Sequence, residues 1–110
     1  MDVTADKING LDVISISGRM DATSASGFDE KMKEVLAKNP AKVVVSLKGL
    51  EYVSSAGLRS FLAAAKEIKK CEGKLVFIEP TEQVLKVLKM SGMTTVLKIC
   101  NSMDEALKEL

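Results

Sequence analysis

The sequence predicts an α/β fold with a mixed sheet, and three observations carry that expectation. Short β-branched runs alternate with stretches of helical periodicity from Val43 onward. Val43-Val44-Val45 shows no polar alternation, which marks a strand covered on both faces, as in parallel sheets. Asn9-Gly10 separates two candidate strands and favours a tight hairpin, because both residues tolerate positive φ.

Each element follows from local chemistry. Val3–Lys7 is a polar edge strand. Leu11–Ser17 is its hairpin partner, with Ile14 and Ile16 alternating against Ser15 and Ser17, and Gly18 ends it. Thr23 or Ser24 caps the first helix, with Asp21 just ahead of its positive end. Phe28, Met32, Val35 and Leu36 share one helical face, and Asn39-Pro40 stops the helix. After the Val43–Val45 strand, Gly49–Ser55 reads as a connection, with Gly57 inside it or just past it. Leu58, Phe61, Leu62, Ala65 and Ile68 then form the clearest amphipathic helix in the chain. Lys69 and Lys70 suit its negative end, and Gly73 suits the left-handed position after it.

Leu75–Ile78 is another buried strand. Thr81 caps a helix that turns Val84, Leu85 and Leu88 inward and ends at Ser91-Gly92. Val96–Ile99 is the last strand. Ser102 and Glu105 form a capping box for the last helix, whose inner face is Met103, Ala106, Leu107 and Leu110. The order is β-β-α-β-α-β-α-β-α. It implies one domain over residues 1–110 with a four- to five-stranded mixed sheet and helices mainly on one face. Leu58, Phe61, Leu62, Val44, Ile16 and Phe28 are the expected core.

Composition removes several functions. Lys plus Arg number 16 and Asp plus Glu 15, so there is no general basic stripe for nucleic acid. The chain has no histidine, which removes Ser-His and Cys-His catalytic pairs and the commonest zinc ligand. Cys71 and Cys100 belong to no ligand cluster and are expected as small core or partly buried residues. Ser54-Ser55-Ala56-Gly57 lacks the lysine and spacing of a phosphate loop. Asp29-Glu30, Asp104-Glu105 and Lys66, Lys69 and Lys70 read as solvated helix faces. We therefore expect no enzyme activity, cofactor, metal or small-molecule substrate. Met1–Gly10 is polar and acidic, without a basic segment leading into an apolar run. No secretory leader, no membrane span and a cytoplasmic location are the expectation.

One segment stands out. Tyr52-Val53-Ser54-Ser55-Ala56-Gly57-Leu58 follows a buried strand and opens a helix, at the strand end where α/β domains present functional groups. Either serine could simply cap the helix. A phosphorylation site is compatible with a cap, because a helix N-terminus tolerates added negative charge.

At these residues the chain resembles the STAS domain family and, within it, the anti-sigma factor antagonists. Gly18-Arg19-Met20-Asp21-Ala22 is similar to the family's Gly-Arg-hydrophobic-Asp-Ala element. Val43-Val44-Val45-Ser46-Leu47 is similar to its central strand. Tyr52 through Arg59 resembles its phosphorylation loop and helix start, and Ser91-Gly92-Met93 its Ser-Gly-hydrophobic step. The resemblance implies a bacterial regulator that binds an anti-sigma serine kinase and thereby releases a sigma factor. In such proteins the kinase phosphorylates the serine two residues before the Gly-Leu pair, which is Ser55 here, and a phosphoserine phosphatase reverses the step. The implied contact surface is Asp21, Tyr52, Ser54, Ser55, Ala56, Gly57 and Arg59. Many members carry Asp directly before the phosphorylated serine; Ser54 stands there in this chain and is a rival acceptor. The alternative is an unphosphorylated STAS module used for assembly or sensing, with Ser55 serving only as a cap.

Overall fold

The computed structural model describes residues 1–40 and 42–110. Five strands and four helices follow the expected order: β1 (Asp2–Ile8), β2 (Leu11–Met20), α1 (Ala25–Leu36), β3 (Lys42–Val53), α2 (Ser55–Lys70), β4 (Lys74–Ile78), α3 (Glu82–Met90), β5 (Ile99–Cys100) and α4 (Met103–Glu109). The strands lie side by side in chain order. β1 and β2 are antiparallel, joined by Asn9 and Gly10 at φ 50 and 81, the left-handed pair that a type I′ turn requires. The remaining pairs are parallel.

The two sheet faces are covered unequally. Helices α1, α2 and α3 lie on one face, over Ile14, Ile16, Val43, Val45, Leu47 and Leu50. Phe61 sits at the centre of that layer. Its ring meets Phe28 edge-on at 5.4 Å and Phe77 at 4.9 Å, both favourable separations for aromatic pairs. On the other face, among the described residues, only α4 packs, setting Ala106 with Val44, Val76, Ile78 and Cys100. Val44 is therefore core, but of the second face. Thr4, Ser15, Ser17, Ser46 and Lys48 line a shallow open concavity on the sheet. Among the described residues no helix is long and apolar enough to cross a membrane.

Several expectations are corrected. Gly18 does not end β2; at φ 88 it carries the strand through a register shift to Met20. Gly49–Val53 is not a connection but the continuation of β3. A Cβ on Gly49 would lie 2.8 Å from Ser17 Cβ, so glycine permits the close strand approach at that shift. On α2 the inner stripe runs through Leu58, Phe61, Ala64 and Ile68, which leaves Leu62 half-buried beside it, outside the core. Glu72 rather than Gly73 takes the left-handed position after α2, at φ 59; Gly73 N–H then bonds Ile68 O at 2.9 Å. Cys71 is exposed and Cys100 buried.

The last strand is shorter than expected. Met93–Thr95 form a 3-10 turn, and Val96 and Leu97 N–H groups bond Met93 O at 3.1 and 2.8 Å. The segment thus satisfies its backbone locally through Leu97 and joins the sheet from Lys98, whose carbonyl accepts from Phe77 N–H at 2.9 Å. Ser102 Oγ accepts from Glu105 N–H as a capping box requires, but Glu105 Oε2 accepts from Asn101 N–H. Leu107 is exposed, because α4 turns only Ala106, Met103 and Leu110 toward the sheet.

Candidate functional site

The carboxyl ends of β2 and β3 form the rim on which the candidate residues sit. Ser54 follows β3, and its N–H bonds Met20 O at 2.8 Å, which ties it to the end of β2. Ser54 is extended, at φ −89 and ψ 175, so its hydroxyl turns back to accept from Gly57 N–H at 3.3 Å. Its carbonyl accepts from Leu58 N–H at 2.9 Å. Ser54 is therefore the cap of α2. Ser55 is the first helical residue, exposed, and its hydroxyl takes no part in that cap.

Gly57 is buried and sets how closely α2 approaches the strands. A Cβ there would lie 2.6 Å from Val53 Cγ2 and 3.1 Å from Met20 Cγ and Sδ. Its contribution is steric: the first turn of α2 rests directly on the ends of β2 and β3. Ala56 is half-buried beside it and Arg59 is exposed one turn further on.

Asp21 begins the path from β2 into α1 and organises the turn before that helix; Ser24 holds the cap position, but its hydroxyl bonds no N–H of α1. Its Oδ1 accepts from the Thr23 hydroxyl at 2.7 Å, from Thr23 and Ser24 N–H at 3.0 Å, and from the Ser24 hydroxyl at 3.1 Å. Ser24 is already near-helical, at φ −103 and ψ −17, so its own side chain caps nothing. The Thr23 hydroxyl bond, then those from Ser24, lower the Asp21 pKa from 3.8 to about 2. The carboxylate is thus committed to the turn.

The structure brings Asp21, Ser54, Ser55, Ala56, Gly57 and Arg59 to one rim. Tyr52 lies two residues before the cap, with its ring on the outside of the rim. Arg19, which sequence reasoning did not assign to the site, pairs in register with Tyr52 and places its guanidinium 4.3 Å from the ring centroid. Its place in the Gly18–Ala22 element is the signal that could have found it. A second feature also went unread: a groove of about 730 Å³ between α1 and α2. Ala25, Ala56 and Ala64 line its apolar part, and Asp29, Lys33 and Arg59 supply charge; the alanines of α2 hint at it in sequence.

Chemically, the rim offers an exposed hydroxyl at a positive helix end, a carboxylate locked into the β2–α1 turn, and a guanidinium at Arg59 with no ion pair among the described residues. Among the described residues no group of three potential ligands is placed to hold a metal ion.

The STAS domain family model matches residues 2–106. The chain is 32% identical to BtrV of Bordetella bronchiseptica over 96% of this chain and 91% of that protein. It is 30% identical to the anti-sigma-B factor antagonist of Bacillus subtilis over 90% of this chain and 92% of that protein. In fold it is similar to the anti-sigma factor antagonist SpoIIAA in its unphosphorylated form, with a TM-score of 0.81 at 17% identity, over 98% of this chain and 95% of that one. It is also similar to Bacillus SpoIIAA in the phosphorylated form, with a TM-score of 0.73 at 16% identity, over 98% of each chain.

Proposed function

The chain belongs to the STAS domain family, and on that footing we propose that it is an anti-sigma factor antagonist switched by phosphorylation of Ser55. It works by binding rather than catalysis. Its partner is an anti-sigma serine kinase, which it engages through the rim of Asp21, Tyr52, Ser54, Ser55, Ala56 and Arg59, with Gly57 setting the geometry beneath. Residues 1–110 act together as one STAS domain. Binding frees a sigma factor. The kinase then moves the γ-phosphoryl group of ATP to Ser55 Oγ, the hydroxyl proton leaves, and ADP departs. A phosphoserine phosphatase hydrolyses the ester and restores the active form.

The observation that carries this reading is the division of labour between two adjacent serines. Ser54 caps α2, and Ser55 stands exposed with its hydroxyl unused by the cap. That division also speaks against Ser55 as a mere cap. The existence of phosphorylated SpoIIAA, a fold relative, supports the same switch. Phosphorylation adds about −1.5 to −2 charges, which the helix N-terminus accepts without loss of fold. At an interface the same group must be desolvated, and several kcal/mol of penalty weakens binding by at least ~100-fold.

Incubation with the cognate kinase and ATP, followed by mass spectrometry, should place phosphate on Ser55 in wild type and in Ser54→Ala, and none on Ser55→Ala. In pull-downs Ser55→Ala should hold the kinase and Ser55→Asp should lose it. Phosphate on Ser54, or on neither serine, overturns the assignment.

A further inference from the structure

Arg59 follows Ser55 by four residues within α2, so the two lie on one face a turn apart. Helical side chains lean toward the helix N-terminus, so the turn that carries Ser55 lies within reach of an arginine at this position. Arg59 is exposed, and among the described residues it forms no ion pair. Two lysines on these helices behave differently: Lys31 pairs with Glu34, and Lys70 with Glu67, each three residues apart. The helical neighbours of Arg59 are Ser55, Ala56, Leu62 and Ala63, none of them acidic. Ser55 is the one among them whose hydroxyl can acquire negative charge.

We infer that Arg59 is the internal partner of a phosphate on Ser55, clamping it against the first turn of α2. The inference rests on Ser55 as the phosphate acceptor. An acid N-terminal to a base at this spacing is the favourable orientation, and phosphate accepts guanidinium in a bidentate, charge-assisted pair. Two of the other charges near the rim are engaged, and two lie in the groove without an ion pair among the described residues. Arg19 stacks on Tyr52, Asp21 is held by Thr23 and Ser24, and Asp29 and Lys33 lie along the α1–α2 groove. Arg59 lines that same groove beside Ala56. Phosphorylation therefore changes the partner-facing surface twice. It adds a bulky anion at the rim, and it takes up the cation that the groove presents in the unmodified form.

The test installs phosphoserine at position 55 during synthesis, by an expanded genetic code, in wild type, Arg59→Gln, Arg59→Lys and Arg19→Gln. The second ionisation of the phosphate is followed by phosphorus NMR. Helix-end effects are common to all four proteins and cancel. The Arg59→Gln change should raise that pKa by about 0.15–0.35 unit, the scale of one added charge in an exposed pair at this spacing. Arg59→Lys should recover part of the shift, and Arg19→Gln should leave the wild-type value. A titration unchanged by Arg59→Gln, or one moved by Arg19→Gln instead, overturns the clamp. Because the phosphate is built in, the result does not depend on which serine a kinase selects; the kinase assay decides that separately.

Discussion

The β2–β3 side of the sheet and its β4–β5 edge are built to different standards. β2 and β3 pair from Asp12 and Val43 to Met20 and Val53, passing two register shifts on the way. β4 and β5 meet at two positions only, Phe77 with Ile99 and Ile78 with Cys100. The long pair runs on to the rim that carries Ser54 and Ser55, and Ser54 N–H is bonded to its last β2 carbonyl. The short pair leaves the sheet as soon as local bonds around Met93 can serve the backbone instead. On the proposed reading, the surface a partner engages hangs on continuous pairing, whereas an edge is best kept short, where it templates no further strand.

The largest expected effect lies where the two regions are joined. Phe61 is fully buried and touches Phe28 on the α1 side and Phe77 on the β4 side. Phe61→Ala should cost about 3–5 kcal/mol in a denaturant melt. Leu107→Ala, on α4 beside the short edge, should cost about 1 kcal/mol, because Leu107 is already 49% exposed. Comparable losses from the two changes would erase the distinction between the regions.

That contrast also explains what the sequence revealed. Element order was legible, because apolar periodicity and the capping residues Ser54, Thr81 and Ser102 are local signals. The reach of β2 and β3 was not. Gly18 and Gly49 read as breakers, yet each enables strand continuation, and that depends on the neighbouring strand. Val96–Ile99 has strand composition, but bonds from Val96 and Leu97 N–H back to Met93 O hold its first half in a turn. The Ser54–Ser55 pair was visible as a candidate, and the family resemblance pointed to Ser55 as the acceptor; that Ser54 rather than Ser55 makes the cap came from the extended backbone of Ser54. Arg19 over Tyr52 needed the strand register, which no single segment contains.

A smaller effect separates two helical glycines. At Gly57 an added Cβ meets Val53 and Met20 at 2.6 and 3.1 Å, and Val53 is a branched side chain on a buried strand. Overpacking of about 1–3 kcal/mol should outweigh the ~1 kcal/mol that alanine gains in helix propensity. At Gly27 on α1 the nearest atom is Met1 Cε at 3.7 Å, an ordinary contact. Gly27→Ala should therefore stabilise by about 0.4–1 kcal/mol. Melting both variants checks the signs. A stabilising Gly57→Ala would mean the rim is looser than its packing indicates, and Ser55 would lose its fixed position.

The smallest effect is the acid response of the rim, and its sign follows from Asp21. The folded pKa, about 2, lies below the ordinary value of 3.8. Between those values the unfolded chain binds more protons than the folded one, so stability rises with pH across that window. The Asp21 contribution is complete above about pH 4 and is lost as pH falls toward 2. Protonation removes the acceptor charge that gathers Thr23 and Ser24 and that faces the positive end of α1. Asp21→Asn is neutral at every pH, so it should melt below wild type near pH 6, with the gap closing through the same window. The gap belongs to the β2–α1 turn. A constant gap from pH 6 to pH 2 would show that the turn is held by the shape of the side chain and not by its charge.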